Sequence, residues 1–166
     1  MKKMLVVYYS WSNGNTRRIA QALAEKTGAQ LAAIDTVKAY TGSYDDVVAQ
    51  GQREVQQGYM PAVRDIGFAI RDFDVIAVGT PTWWYTMAPA VHTFLHSKDW
   101  NGKTVIPFMT NGGWPGHVIK DMKKECVGAE IALPMEIRFD SNGGDHMETP
   151  QKDVNRWISE VKNMLD

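Results

Sequence analysis

The 166-residue chain holds a single cysteine, Cys126, so no intramolecular disulfide framework can staple it. It contains no apolar run of membrane-spanning length. The apolar run near its start, Met4 to Tyr9, is too short for a signal-peptide core, and no small-residue cleavage site follows. Charge of one sign is equally scarce. Lys and Arg number 18 and Asp and Glu 19, leaving a formal net charge of −1, which argues against electrostatic capture of nucleic acid or of an anionic membrane. The Walker string G-x-x-x-x-G-K-[ST] is missing, and so are the three spaced glycines of a dinucleotide fingerprint. What is present is a length suited to about one domain and an ordinary globular composition, 44% hydrophobic and 22% charged. A soluble cytoplasmic protein is the expectation.

Strand-like and helix-like stretches alternate along the chain. Met4 to Tyr9 is a continuous apolar run, as expected of a strand covered on both faces. Thr16 to Lys26 sets Ile19, Ala22, Leu23 and Lys26 on one helical stripe, with Gly28 as its C-cap. Ala29 to Asp35 is a second, weaker strand. Tyr44 to Gln57 reads as a helix with Val47, Val48 and Val55 as its apolar positions, in a long polar segment (Thr36 to Ile66) expected to lie over the surface. The remaining strands are Asp74 to Gly79, Thr104 to Met109 and Ile131 to Phe139, with Pro107 marking a bulge. Helices are expected over Ala88 to Ser97, Val118 to Cys126 and Gln151 to Leu165, the last with Val154, Trp157, Ile158, Val161 and Leu165 inward. Such alternation implies one α/β domain, a doubly wound five-stranded parallel sheet with helices on both faces.

In such sheets ligands bind beyond the carboxyl ends of the strands, where strand order reverses. The common order 2-1-3-4-5 brings three loops to that edge: Ser10 to Thr16, Thr80 to Met87 and Thr110 to Gly116. A phosphoacceptor domain of this topology would want aspartates past the first and third strands, where Ser10 and Thr80 stand. The first loop instead offers hydroxyls from Ser10, Ser12 and Thr16, amides from Asn13 and Asn15, and a sharp turn at Gly14. With the helix N-terminus beginning near Asn15, it suits a dianion held by neutral donors. The second loop places Trp83, Trp84 and Tyr85 in succession, and three consecutive aromatics cannot all face one core. They suit a planar conjugated ligand, although two of them are expected to pack beneath the following helix. The third pairs Gly112 and Gly113 with Trp114, letting backbone atoms approach a ligand edge. Together these describe a flat heterocycle with a terminal phosphate.

The segments YYSWSNGNTRRIA, GTPTWW and NGKTVIPFMTNGG, with the closing strand-turn-helix, resemble the flavodoxin family, in particular its short members with a PxWW loop. The resemblance spans nearly the whole chain and implies flavin mononucleotide (FMN), bound noncovalently. It carries Ser10, Ser12, Asn13, Gly14, Asn15 and Thr16 over to the phosphate loop, with either serine placed to contact the phosphate because Ser10 and Gly14 are separated by three residues rather than two. It carries Pro81, Thr82, Trp83, Trp84 and Tyr85 over to the loop against the isoalloxazine, and Thr110, Asn111, Gly112 and Gly113 to its pyrimidine edge. Trp114 and Pro115 stand where relatives have small residues, and are expected to cover part of the flavin's exposed face.

Three functions follow from this reading. An electron carrier, monomeric or weakly dimeric, would cycle its flavin between a reductase and an acceptor protein. A small NAD(P)H-dependent oxidoreductase would act on quinones or similar small acceptors. A non-catalytic binding module ranks last. Dedicated carriers are usually strongly acidic, which this chain is not. Elsewhere, His92 and His96 form an i, i+4 pair that suits zinc but lacks a third ligand, so a solvated helix face is expected. Lys120, Asp121, Lys123, Lys124 and Glu125 read likewise. Cys126 is expected to be inert. Arg17 and Arg18 are expected in solvent, and Glu136 and Asp145 are expected to border the flavin through the segment Arg138 to Thr149, without a catalytic role.

Overall fold

A computed structural model describes residues 1–166. Strand β1 (Met4–Tyr8) is internal to the sheet, its neighbours β2 (Gln30–Ala33) and β3 (Val75–Trp83) both pairing with it in parallel, and its side chains are buried in a core on each face. Strand β5 (Thr104–Asn111) pairs with β3 in turn, and the fifth lane consists of β6 (Glu130–Ile131) and β7 (Met135–Arg138). The lanes follow the expected 2-1-3-4-5 order. A short β4 (Thr86–Met87) turns back antiparallel onto the end of β3.

Side chains alternate between two cores, as the period of a strand requires. Met4, Val6, Val75, Ala77 and Ile106 face helices α1 (Asn15–Thr27) and α5 (Gln151–Met164). Leu5, Val7, Ile76, Val78 and Val105 face α3 (Pro89–His96) and α4 (Val118–Glu125). All five inward positions expected of the last helix are buried, and Gly28 caps α1 at φ 72°.

Two expectations are corrected. The fifth strand is not continuous over Ile131 to Phe139. Val105 pairs with Ile131 but Phe108 pairs with Met135, so one extra residue enters the outer strand, with Leu133 at φ 46°. The carbonyl of Val105 accepts the N–H of Ala132 at 3.0 Å, so by alternation Pro107 points its backbone at the same neighbour. Having no N–H to donate, Pro107 stays regular in its own strand and the bulge falls opposite it. The indole N–H of Trp157 donates to the carbonyl of Leu133 at 2.8 Å, satisfying the bulge.

The second correction concerns α2 (Tyr44–Gln57). It begins with a Ser43 capping box, but of the three valines expected at its apolar positions only Val47 is buried. Val48 is 37% exposed, whereas Glu54 is only 7% exposed. The carboxylate of Glu54 accepts from the Tyr40 hydroxyl at 2.6 Å and from the Gln50 amide at 2.7 Å. Burial first, and then this carboxylate, push the Tyr40 hydroxyl's pKa well above its ordinary value; burial does the same to Tyr9. Polar bonds therefore seat α2 where apolar burial was expected. No helix is long and apolar enough to cross a membrane.

Candidate functional site

A cleft of about 340 Å³ opens at the carboxyl ends of β1, β3 and β5, the switch point of the sheet. Its first wall is the turn before α1. Ser12 (φ 66°) and Gly14 (φ 74°) both adopt left-handed backbone, swinging the chain sharply into the helix. The N-cap residue Gly14 has no side chain to cap α1 and the first turn holds no acidic residue, so the positive end of the helix opens on the cleft with most of its N–H groups unspent. Ser12, Asn13, Asn15 and Thr16 line the cleft, whereas Ser10 and Gly14 do not. The Ser10 hydroxyl turns instead toward the Arg17 N–H at 3.4 Å.

The two asparagine amides are already engaged. Asn13 Nδ2 donates to the carbonyl of Gly143, and Asn15 Nδ2 donates to the carbonyl of Gly144 at 3.0 Å. Asn15 Oδ1 is buried in the cleft wall without a partner. At the floor, the buried hydroxyls of Thr16 and Thr110 lie 2.8 Å apart, joining the first loop to the third. Only one of them can donate to the other, which leaves one hydroxyl proton free for a ligand. Thr82 Oγ1 donates to the carbonyl of Thr110 at 3.0 Å and holds β3 to β5 at the same level.

The second loop is mostly strand. β3 runs on to Trp83, and Trp84 and Tyr85 form a two-residue turn to β4 with both residues left-handed, at φ 51° and 68°. Hairpins of this kind usually place Asn and Gly there; two aromatics impose strain that the surroundings must hold. They do so through Gly116. The N–H of His117 donates to the carbonyl of Tyr85 at 2.8 Å, and a Cβ on Gly116 would lie 2.2 Å from that carbonyl oxygen. Pro81, Thr82, Trp83 and Trp84 line the cleft, while Tyr85 points away from it. Trp83 packs edge-on against Tyr9, Trp11 and Tyr40, with Gly51 of α2 against its ring. The covering helix is thus the preceding α2, not the following α3. The indole N–H of Trp84 donates to the carbonyl of Val48 on α2 at 3.0 Å.

From the third loop, Thr110, Asn111, Gly112 and Trp114 line the cleft. Asn111 Oδ1 accepts the Gly113 N–H at 2.7 Å, and Gly113 faces the Arg138 guanidinium outside the cleft. Trp114 is 59% exposed at the mouth.

Two further walls complete the cleft, the first unforeseen in the sequence and the second within the segment Arg138 to Thr149 expected to border the flavin, though none of its lining residues was singled out. One is Trp11 with Tyr44, Val47, Val48 and Gly51 of α2, where the Trp11 and Tyr44 rings stack with centroids 5.8 Å apart. The other is Phe139, Asp140, Ser141, Gly143 and Gly144 after β7. Its turn-rich string DSNGG, at the carboxyl end of the last strand, was the available signal. Glu136 and Asp145 themselves lie outside the cleft lining.

Arg17 and Arg18 are exposed as expected, and Arg18 lies 5.6 Å from the Phe139 ring centroid and donates to the carbonyl of Asp145 at 3.3 Å. The histidine-bearing helix faces depart from expectation. His92 and His96 both bind the carboxylate of Glu125, at 2.9 and 3.0 Å. Asp121 accepts from Thr86 at 2.6 Å and is paired with His117. These helix faces are bonded to one another rather than simply solvated. No group of His, Cys, Asp and Glu is arranged to hold a metal. Cys126 is buried, and that burial, with Glu125 beside it, pushes its thiol up to about 12.

A switch-point cleft with glycine at the N-cap of its helix and indoles in its lining can be set beside known proteins. The chain resembles a structure from Bacteroides uniformis ATCC 8492 assigned as a flavoprotein, with 26% identity, TM-score 0.78, and coverage of 95% of this chain and 98% of that one. A Bacteroides eggerthii structure assigned likewise gives 26% identity, TM-score 0.76, and 97% and 98% coverage. The flavoprotein of Lactobacillus acidophilus NCFM in complex with FMN shares the fold at 18% identity, with TM-score 0.71 and 95% and 99% coverage. No curated protein matches the chain. The family model described as flavodoxin matches residues 3–161, nearly the full length, and the chain belongs to the flavodoxin family.

Proposed function

We infer that this protein binds FMN noncovalently in the cleft and serves as an electron carrier between a reductase and an acceptor protein. The observation that carries the reading is the α1 N-terminus, with glycine at its N-cap and no first-turn acid, opening into a cleft that is also lined by indoles. The donor set fits the group. Backbone N–H groups at the start of α1, with the Ser12 and Thr16 hydroxyls, suit a phosphate dianion without a lysine. Thr110, Asn111 and Gly112 offer polar atoms to a ring edge, and Trp83, Trp84, Trp114 and Tyr44 offer apolar surface to the ring. Ser10, Gly14, Tyr85 and Gly113 act in this reading by shaping the loops. FMN, when bound, supplies the redox chemistry; the chain binds, orients and partly shields it.

The carrier assignment draws support from the next cavity, about 310 Å³, which shares no lining residue with the cleft and so adds no room beside the ring for a second small molecule. The near-neutral charge favours the NAD(P)H-dependent oxidoreductase instead, since carriers gain from electrostatic steering. Two measurements test the reading. FMN should bind stoichiometrically and more tightly than riboflavin, with Thr16→Val weakening FMN about tenfold and sparing riboflavin. Equal losses for both ligands would remove the phosphate assignment. Steady-state oxidation of NADPH or NADH with a quinone should be slow, and reduction through a separate reductase fast. Turnover with a nicotinamide alone at about 10 per second, an ordinary enzyme rate, would transfer the assignment to the oxidoreductase.

A further inference from the structure

The anion end of the cleft is built from two segments that lie far apart in the chain. The turn after β7 is held by three of its own bonds. Asp140 Oδ1 accepts the N–H of Asn142 at 2.8 Å, the carbonyl of Asp140 accepts the N–H of Gly143 at 3.1 Å, and the Asp140 N–H donates to the carbonyl of His146 at 2.8 Å. The turn presents the carbonyls of Gly143 and Gly144 to the first loop, where they take the amides of Asn13 and Asn15. Arg18 adds a third tie, to the carbonyl of Asp145. Rotating the Asn15 amide toward the cleft would set its oxygen against the Gly144 carbonyl, so Oδ1 stays buried and unpartnered. The two amides therefore act as struts between loops, each committing one of its two N–H donors to a carbonyl of the turn and so fixing where the other can point.

We propose that the Asp140–Gly144 turn is a positioning element for the anion site: it sets the backbone of Ser12 to Thr16 and thereby the preference for a phosphorylated flavin. The proposal rests on the FMN reading above. Asp140 permits a test in which the sign decides. Asp140 is one of the residues lining the cleft, so its negative charge opposes a dianion bound there, and removing it should by Coulomb's law alone tighten FMN. Removing it also takes away the acceptor that shapes the turn.

The experiment measures FMN and riboflavin affinities by flavin fluorescence for the wild-type chain and for Asp140→Asn, Asp140→Ala and Asn13→Ala. Binding of inorganic phosphate to the flavin-free chain is followed by phosphorus NMR. Asp140→Asn keeps the Oδ1 acceptor and loses the charge, so FMN affinity is retained or improved. Asp140→Ala loses FMN affinity about tenfold, the worth of one net hydrogen bond, despite the departing charge, while riboflavin is unaffected and phosphate binding weakens in parallel. Asn13→Ala repeats that pattern, and the double variant loses no more than either single one, because both act through one strut. The proposal is overturned if Asp140→Ala binds FMN as tightly as the wild type, or if FMN and riboflavin fall together. Should Asp140→Ala fail to fold, Asn13→Ala decides on the same criterion. A wild-type chain with no preference for FMN over riboflavin overturns the underlying FMN reading; a preference that the variants retain overturns the positioning role alone.

Discussion

Replacing Gly116 with alanine should be among the more damaging single-methyl additions available to this protein. Two contributions add. Gly116 sits at φ 56°, where an L-residue costs roughly 1–2 kcal/mol. Its new Cβ would lie 2.2 Å from the Tyr85 carbonyl oxygen and 2.5 Å from the Tyr85 Cα. These are backbone atoms that no rotamer change can move, so the turn itself must shift, at a cost of roughly 1–3 kcal/mol for overpacking. The sum is about 2–5 kcal/mol, a large part of the roughly 5–15 kcal/mol that stabilises a typical domain. Gly28→Ala is the matched control. Its φ is 72°, but nothing lies within 4 Å of the added methyl, so only the conformational cost applies. Urea unfolding of the two variants, at a slope of about 2 kcal/mol per molar, should show the Gly116→Ala midpoint falling further by roughly 0.5–1.5 M. Equal midpoint losses would show that the Trp84–Tyr85 turn yields freely to the methyl, and the account of a strained hairpin wedged in place by Gly116 would fail.

Two other perturbations follow from buried groups. The Cys126 thiol, raised from an ordinary 9.0 to about 12, keeps its proton in the folded chain while the unfolded chain releases it. Its stabilising contribution is therefore full below pH 9 and declines as pH rises toward 12, and its labelling by a thiol reagent at pH 8 should be slow until denaturant is added. Fast native labelling would contradict its burial. Trp157→Phe removes the donor to the Leu133 carbonyl and should cost about 1–3 kcal/mol by chemical denaturation, beyond what the smaller ring loses in packing.

The lanes and helices were legible because their signals are local. The stripe Val154, Trp157, Ile158, Val161 and Leu165 has the period of one buried helix face, and each member is buried. Twelve of the sixteen residues expected at the site, Trp114 among them, line the cleft, since strand ends and turn residues also announce themselves locally. Glu54 did not. It looks like a surface residue, and its burial is tolerable because Tyr40, fourteen positions earlier, and Gln50, one helical turn earlier, both donate to its carboxylate. The segment Arg138 to Thr149 was expected to border the site, but the lining residues of its Asp140–Gly144 wall were not legible, for a related reason. Its bonds to Asn13 and Asn15 span 130 and 129 positions, and no periodicity reports a carbonyl's distant donor. Pro107 was a correct sign of a bulge, but the bulge appears on the neighbouring strand, because what proline lacks is a bond between strands.

That bulge has a consequence for how copies of this protein behave toward one another. The lane it interrupts is an outer edge of the sheet, where unpaired N–H and C=O groups would otherwise offer a template for a second chain. β6 has two residues and β7 four, separated by Leu133 in a left-handed conformation and by Pro134, which has no N–H to lend. Beyond β7, Phe139 is bridged to Met147, so the chain folds back on its own edge. An incoming strand thus meets no straight row longer than four residues. The irregularity that serves the missing N–H of Pro107 also keeps this edge from recruiting foreign strands, a protection against aggregation during synthesis and refolding.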